Sequence, residues 1–357
     1  MSIAIILGTR PEIIKMSPFI RLCEKKGIKY FTLHTGQHYS YHLDKVFFDE
    51  LELPEPKYNL EVGSGKQGEQ TAKMVAGIET ILLDEKPDVI LVQGDTNSVL
   101  AGALAASKLG IKVGHVEAGL RSYDRSMPEE VNRIVADHIS DYLYAPTATA
   151  KQNLIKEGIS DDKIIVCGNT VVDALFQNIK ISENKTSVLD GLNLQKSGYF
   201  LVTTHRQENV DSKDCLEGII NGLLSLYQQY KLPIILALHP RTAKRIDEFN
   251  INLPDCIRTI EPPGYLEFLQ LERNAKLVLT DSGGVQEETC ILKVPCVTLR
   301  NNTERPETID VGSNILVGTD PSKILNGVNE MINKPRNWNN PFGDGEAAEI
   351  IFSFLEN

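Results

Sequence analysis

The chain has 357 residues, enough for two domains with ordinary cores. Hydrophobic residues make up 41% and charged residues 24%, which excludes a disordered or fibrous chain. Charge runs to 37 Lys and Arg against 48 Asp and Glu, a net −11, which argues against a large nucleic-acid footprint.

The first apolar run, Ile3-Ala4-Ile5-Ile6-Leu7, is far too short to span a bilayer and lacks a basic flank before it. No other stretch is long enough, so the expectation is a cytoplasmic protein with no membrane and no nucleic-acid partner. Six cysteines, at 23, 167, 215, 256, 290 and 296, form no CxxC pair. Irregular spacing fits reduced thiols packed as small apolar residues, and the scattered histidines offer no ligand cluster. No metal and no cofactor is expected.

Short β-branched runs alternate with amphipathic stretches. Strands are predicted at 3–7, 29–33, 89–92, 113–116 and 143–145, and helices at 12–26, 69–84 and 97–108. Such alternation means a parallel sheet with helices on both faces. The pattern pauses near Gly168, and a polar stretch with little periodicity covers 181–197. A second series of strands follows at 199–203, 234–238, 258–260, 277–280 and 297–299. The expected architecture is two Rossmann-like α/β domains, 1–169 and 170–344, with a hinge near Gly168 and a cleft between them. Ligands in such sheets sit beyond the carboxyl ends of the strands. Motifs immediately after strands therefore carry the chemistry.

Gly8-Thr9-Arg10-Pro11-Glu12 follows the first strand. Gly8 permits a tight turn and Pro11 suits a first helical position, while Arg10 and Lys15 add cations to a helix start that already favours anions. Gly63-Ser64-Gly65-Lys66-Gln67-Gly68 spells GxGxxG, but the half-polar residues 57–62 before it are no buried strand. It reads as a loop ahead of a helix, not as a dinucleotide site.

Carboxylates recur after strands of the first domain: Asp95 in Gln93-Gly94-Asp95-Thr96, Glu117 in His115-Val116-Glu117-Ala118, and Glu129 beside Glu130 opening a helix after Pro128. One such Asp is usually a helix cap. Several at one sheet end raise one another's pKa, which suits general acid and base work. In the second domain His205 follows the first strand, and His239-Pro240 ends the next. Thr280-Asp281-Ser282-Gly283-Gly284-Val285-Gln286-Glu287-Glu288 follows another strand and opens a helix. Gly283 and Gly284 let backbone N–H groups approach a phosphate, Ser282 offers a hydroxyl, and the Glu288 carboxylate can accept two hydroxyls of a ribose. Arg305, in Thr303-Glu304-Arg305-Pro306-Glu307, is a weaker second candidate for a phosphate cation.

GTRPE with Lys15, QGDT, GHVEAGLRS, MPEEVNR, THRQEN, TDSGGVQEE, TERPE and the closing NPFGDGEAA together resemble, in order, the non-hydrolysing UDP-N-acetylglucosamine 2-epimerases. The resemblance runs from residue 3 to about 350. It implies the GT-B architecture, with a last helix, here about 345–357, crossing back to the first domain. It also implies a UDP-sugar substrate and a homodimer. Matched by motif, Arg10, Lys15, Ser282, Gly283, Gly284, Glu288 and Arg305 fall on the UDP portion, and Phe268 falls near the uracil. Asp95, Glu117, Glu129 and His205 fall on the catalytic positions.

Two departures stand out. Many bacterial members have a Gln before the Tyr-Leu segment that contacts UDP, where this chain has Pro262-Pro263-Gly264-Tyr265. Members regulated by a second substrate molecule carry a longer Gln-His-Arg-x signature, where Gln37-His38 is followed here by Tyr39-Ser40.

The implied reaction must labilise a C2 hydrogen that has no carbonyl beside it. Elimination of UDP from C1, with a base taking the C2 proton, gives 2-acetamidoglucal; re-addition completes the inversion. The competing readings are an epimerase for a UDP-2,3-diacetamido sugar, a hydrolysing epimerase, a GT-B glycosyltransferase and a nucleotide-sugar sensor. The carboxylate set disfavours the sensor, since binding a diphosphate gains nothing from extra negative charge.

Overall fold

The computed structural model describes residues 1–37 and 41–356, so His38, Tyr39 and Ser40 of the departure noted above lie outside the described residues. Seven strands form the first sheet: β1 (Ser2–Leu7), β2 (Lys29–His34), β3 (Tyr58–Asn59), β4 (Val89–Gln93), β5 (Lys112–Val116), β6 (Tyr142–Ala145) and β7 (Ile164–Val166). All pair in parallel, in the order 3-2-1-4-5-6-7. A six-stranded sheet follows, built from β8 (Phe200–Thr203), β9 (Ile234–Ala237), β10 (Ile257–Ile260), β11 (Leu277–Thr280), β12 (Cys296–Thr298) and β13 (Asn314–Leu316). Its order is 10-9-8-11-12-13, again all parallel.

Each sheet therefore reverses its winding next to its first strand, β1 against β4 and β8 against β11. That reversal is the switch point at which doubly wound sheets hold ligands. Parallel strands covered on both faces read as continuous apolar runs. Residues Ile3, Ala4, Ile5, Ile6 and Leu7 are accordingly all buried. Ile6, Ile90 and Val92 pack on Met74, Ile78 and Leu82 of helix Gln67–Glu85 and on small residues of helix Asn97–Lys108. That second helix lies close on the sheet because it is poor in bulk; a Cβ on Gly102 would come within 2.9 Å of Val92 Cγ1. In the second sheet Phe200, Val202, Leu277 and Leu279 pack on Leu216, Ile220 and Leu223 of helix Lys213–Tyr230.

The chain divides into two compact units, 1–177 with 342–357, and 178–341. The division falls inside helix Thr170–Lys185, later than the sequence boundary at 169, because that helix continues through the polar residues after 181. The last helix, Ala347–Leu355, belongs to the first unit. Phe352 meets Phe19 of helix Arg10–Lys26 with ring centroids 6.4 Å apart, and Asp173 accepts the amides of Ala347 and Ala348. The architecture is GT-B-like, two doubly wound α/β domains with a returning C-terminal helix. Strands β3, β7 and β13 have two or three residues each and lie at or beside sheet edges, too short for a periodicity to register. Among the described residues no helix is long and apolar enough to cross a membrane.

Candidate functional site

In the first unit the turns after β1, β4 and β5 meet. Gly8 is required there by close approach, since a Cβ would collide with the hydroxyls of Ser98 and Thr35. The fully buried Glu12 then ties two turns together. Its Oε2 accepts from Gly8 N at 2.9 Å and Thr9 Oγ1 at 2.8 Å, and its Oε1 from Thr96 Oγ1 at 2.7 Å. Burial pushes its carboxyl up to about 7, against the opposing pull of those hydrogen bonds from Thr96, Thr9 and Gly8. Nothing local in the sequence signals this role of Glu12, since its partner Thr96 lies 84 residues away.

The candidate carboxylates take distinct surroundings. Glu117 follows β5 in the left-handed region, φ 71°, while its amide donates to Tyr144 O at 3.0 Å. A non-glycine residue held there stores strain, a feature that gathers at functional sites. Its Oε2 lies 2.6 Å from Lys15 Nζ and also accepts from Gln93 Nε2. Lys15 is thus placed on a carboxylate of its own unit. Asp95 is ion-paired with Arg133, which also holds Glu130 at 2.5 Å. Glu130 is buried and closes the preceding loop by accepting from Ser122 and Tyr123, whereas Glu129 is exposed. The Arg10 guanidinium lies 5.6 Å from the centre of the Phe47 ring.

Asp95 and Glu129 line one cavity of about 320 Å³. Its other walls are amide-rich, with Gln37, Gln67, Gln70, Asn97 and Asn132. Asn97 Nδ2 bridges Gln67 Oε1 at 2.6 Å and Gln70 Oε1 at 2.8 Å. Ser64 and Gly65 of the GxGxxG decoy line this cavity too. The decoy follows the two-residue β3, so it lacks the dinucleotide context, yet the loop contributes to the candidate site. Amides scattered over four segments carry no sequence signal as a set.

In the second unit the turns after β8 and β11 are joined by Asp281, which is fully buried. It accepts from Thr204 Oγ1 at 2.6 Å, from the amides of His205 and Arg206 at 3.0 Å, and from Asn209 Nδ2 at 3.0 Å. His205 Nδ1 sits 3.3 Å from Asp281 Oδ1, and the His205 ring lies 5.3 Å from that of His239. His239 caps helix Pro240–Glu248 by accepting from Arg241 N at 3.1 Å, so a structural role accounts for its position.

Directly after Asp281, Ser282 precedes helix Gly283–Ile291. A Cβ on Gly283 or Gly284 would meet nothing closer than 3.7 Å and 3.9 Å. The chain's own packing therefore does not demand glycine at either position, and the open backbone suits a close-bound anion. Glu288, half-buried on the same helix, receives the Tyr265 hydroxyl at 3.4 Å. The fully buried Glu272 also lies beside Glu288, and its carboxyl is raised well above the ordinary range by burial and by that neighbour. Phe268, on the same helix as Tyr265, packs partly buried against Val285 and its core. Arg305 Nε pairs with Glu287 at 2.8 Å. Glu304 pairs with Arg300 at 2.8 Å, and that contact brings its carboxyl down to about 2. Among the described residues no group of three or more His, Cys, Asp or Glu is placed to hold a metal ion.

The arrangement offers an anion-ready helix start in one unit; in the other, Asp95 and Glu129 share a cavity, while Glu117 is held by Lys15 and Gln93 and is not among that cavity's lining residues. Comparison with known proteins gives these features a context. The family model described as UDP-N-acetylglucosamine 2-epimerase matches residues 21–356. The chain is 59% identical to the UDP-N-acetylglucosamine 2-epimerase of Methanocaldococcus jannaschii, over 99% of each chain. It is 40% identical to the UDP-2,3-diacetamido-2,3-dideoxy-D-glucuronate 2-epimerase of Pseudomonas aeruginosa, again over 99% of each. The crystal structure of the M. jannaschii enzyme in complex with UDP-GlcNAc and UDP superposes with a TM-score of 0.88, covering 100% of this chain and 99% of that one.

Proposed function

The chain belongs to the non-hydrolysing UDP-N-acetylglucosamine 2-epimerase family, and from that premise we propose that it interconverts UDP-N-acetylglucosamine and UDP-N-acetylmannosamine. In this reading a base removes the C2 proton while the C1–O bond to UDP breaks, leaving 2-acetamidoglucal and UDP. A proton then returns to the other face of C2, and UDP re-forms the bond at C1. Atoms and charges balance with no redox partner.

Ser282, Gly283, Gly284 and Arg305 hold the diphosphate, Glu288 accepts the ribose hydroxyls, and Phe268 packs near the uracil. Arg10 and Lys15 add positive charge toward the phosphates. An ammonium carries three donors, so Lys15 can serve UDP while it holds Glu117. Asp95, Glu117 and Glu129 carry the protons at C2. His205, as a cation, stabilises charge developing on the leaving UDP.

The observation that carries this reading is the buried Asp281. It draws the turn bearing His205 onto the turn bearing Ser282, Gly283 and Gly284, which supports reading His205 as a leaving-group partner beside an anion cradle. The higher identity to the UDP-N-acetylglucosamine 2-epimerase, 59% against 40%, favours an unmodified C3 hydroxyl over a 3-acetamido sugar. The enzyme works in the cytoplasm as a homodimer joined through helices of the first unit. Exposed Val131 and Ile155 on two such helices support that surface, and light scattering at working concentration tests it.

Incubation with UDP-N-acetylglucosamine in D₂O tests the reaction. Deuterium at C2 of both UDP-sugars is expected. Release of free N-acetylmannosamine, sugar transfer to an acceptor, or no exchange would each replace the epimerase by one of its competitors.

A further inference from the structure

His115, on β5, has no exposed surface, and both its ring nitrogens are committed. Nδ1 lies 2.7 Å from Asp137 Oδ1 and Nε2 lies 2.7 Å from the carbonyl oxygen of Gly94. A carbonyl only accepts. Asp137 is an acceptor as well, because its Oδ2 already takes Gly119 N at 3.2 Å and Arg121 Nη1 at 2.7 Å. Each ring nitrogen must therefore donate, which among the forms of histidine only the imidazolium does. Arg121 is bidentate on Glu157, at 2.7 and 2.6 Å, so two cations meet two anions.

The bonds made by this pair end on the turns that matter. Gly94, φ 86°, immediately precedes Asp95, and Gly119, φ 82°, follows Glu117. His115 holds the turn after β4 through Gly94 O, and Asp137 holds the turn after β5 through Gly119 N.

We propose that His115 is a positioning residue for the acid/base groups: a permanent imidazolium, paired with Asp137, that locks the two turns carrying Asp95 and Glu117 and sets a buried positive charge beneath them. The proposal rests on the acid/base reading of those two carboxylates. The charged groups facing the ring are Asp137, from helix Pro128–Ile139, and Glu117, at the end of its own strand, with Arg121 behind Asp137. Burial works against the ring's charge, but the contacts to Asp137 and Gly94 outweigh it and hold the ring above the ordinary histidine range. The same attraction works in reverse on Asp137, whose carboxyl is held below the ordinary range in spite of its burial.

Two measurements on the whole enzyme test this. Nitrogen-resolved NMR of labelled histidine should find both His115 ring nitrogens protonated at pH 7, and Asp137→Asn should return the ring to ordinary titration. His115→Asn should lower kcat on the order of 10²-fold, the scale of a small misplacement of reacting groups. UDP affinity should stay within about twofold, since neither His115 nor Asp137 bonds any residue assigned to UDP. The acid limb of the kcat profile should move to higher pH, because Glu117 loses the neighbouring cation that His115 provides.

A neutral ring at pH 7 in the intact enzyme overturns the proposal. So does an unmoved kcat limb in His115→Asn, or a parallel loss of kcat, UDP affinity and near-ultraviolet circular dichroism, which marks a merely structural role. Near wild-type turnover in Asp95→Asn and Glu117→Gln would remove the acid/base reading itself, and the positioning role with it, even where the NMR finds a charged ring.

Discussion

The Lys15 ammonium lies 2.6 Å from Oε2 of Glu117, so a cation from the helix after β1 rests on a carboxylate that follows β5. Both side chains are largely buried, and Glu117 also takes a bond from Gln93. Removing one member of a shielded pair leaves the other uncompensated. Lys15→Met should therefore raise the Glu117 pKa and shift the acid limb of the kcat profile to higher pH. It should also weaken UDP binding, where the ammonium serves both groups. Calorimetry with UDP beside a pH–rate profile separates the two effects. A weakened UDP affinity with an unmoved limb would deny that Lys15 sets the state of Glu117.

The carboxylate set should act on turnover more than on binding. Asp95→Asn, Glu117→Gln and Glu129→Gln are each expected to lower kcat by about 10²–10⁴-fold, the usual contribution of a general acid or base. UDP affinity should change little. Variants that stall re-addition should leak free 2-acetamidoglucal and UDP, visible by NMR. His205→Asn should slow the elimination step instead. Near wild-type turnover in all three carboxylate variants would count against this cluster as the proton-transfer site.

Glu288→Gln should weaken UDP by roughly 1–3 kcal/mol, because a neutral amide is a poorer acceptor for two hydroxyls than a carboxylate. Titration calorimetry measures this directly. An unchanged dissociation constant would take Glu288 out of the nucleotide site.

Glu12 makes a prediction about stability. Its folded-state carboxyl is raised from 4.5 to about 7, so between those values the native state holds a proton that the unfolded chain has released. Stability falls wherever the native state binds more protons and pH rises. The contribution is therefore fully present below about pH 4.5 and lost as pH climbs through about 7. Its size is on the order of 3 kcal/mol for a fully buried group. Glu12→Gln should flatten that part of the curve. Denaturant unfolding of both proteins at about pH 5 and about pH 8 gives the comparison, and equal slopes would place the titration elsewhere.

The strand-and-helix rhythm was legible because parallel strands buried on both faces must be apolar throughout, as Ile3-Ala4-Ile5-Ile6-Leu7 is. Turn motifs were legible for a related reason. A switch point lies beyond strand ends, so Arg10, Asp95, Glu117, His205 and Ser282 announce themselves by following apolar runs. Glu12, Asp281 and His115 were not legible as anchors. Each stands inside a quoted motif, but what it does depends on acceptors and donors tens of residues away, such as Thr96, Thr204 and Gly94. Ser64 and Gly65 stand in a GxGxxG that lacks a buried strand before it, and still line the cavity with Asp95 and Glu129.

By itself, then, the sequence determined the doubly wound class, the approximate strands, the family and the turns that bear the candidate residues, because burial and turn geometry impose local patterns of residue type. Only the tertiary structure decided which charges those residues meet. It set Lys15 on Glu117, Asp95 on Arg133, Arg305 on Glu287, and buried Glu12 among donors from two turns. The physical reason is range. Apolar periodicity is written into neighbouring residues, whereas the ionisation of a carboxylate is set by burial and by partners that the fold alone brings within hydrogen-bond distance.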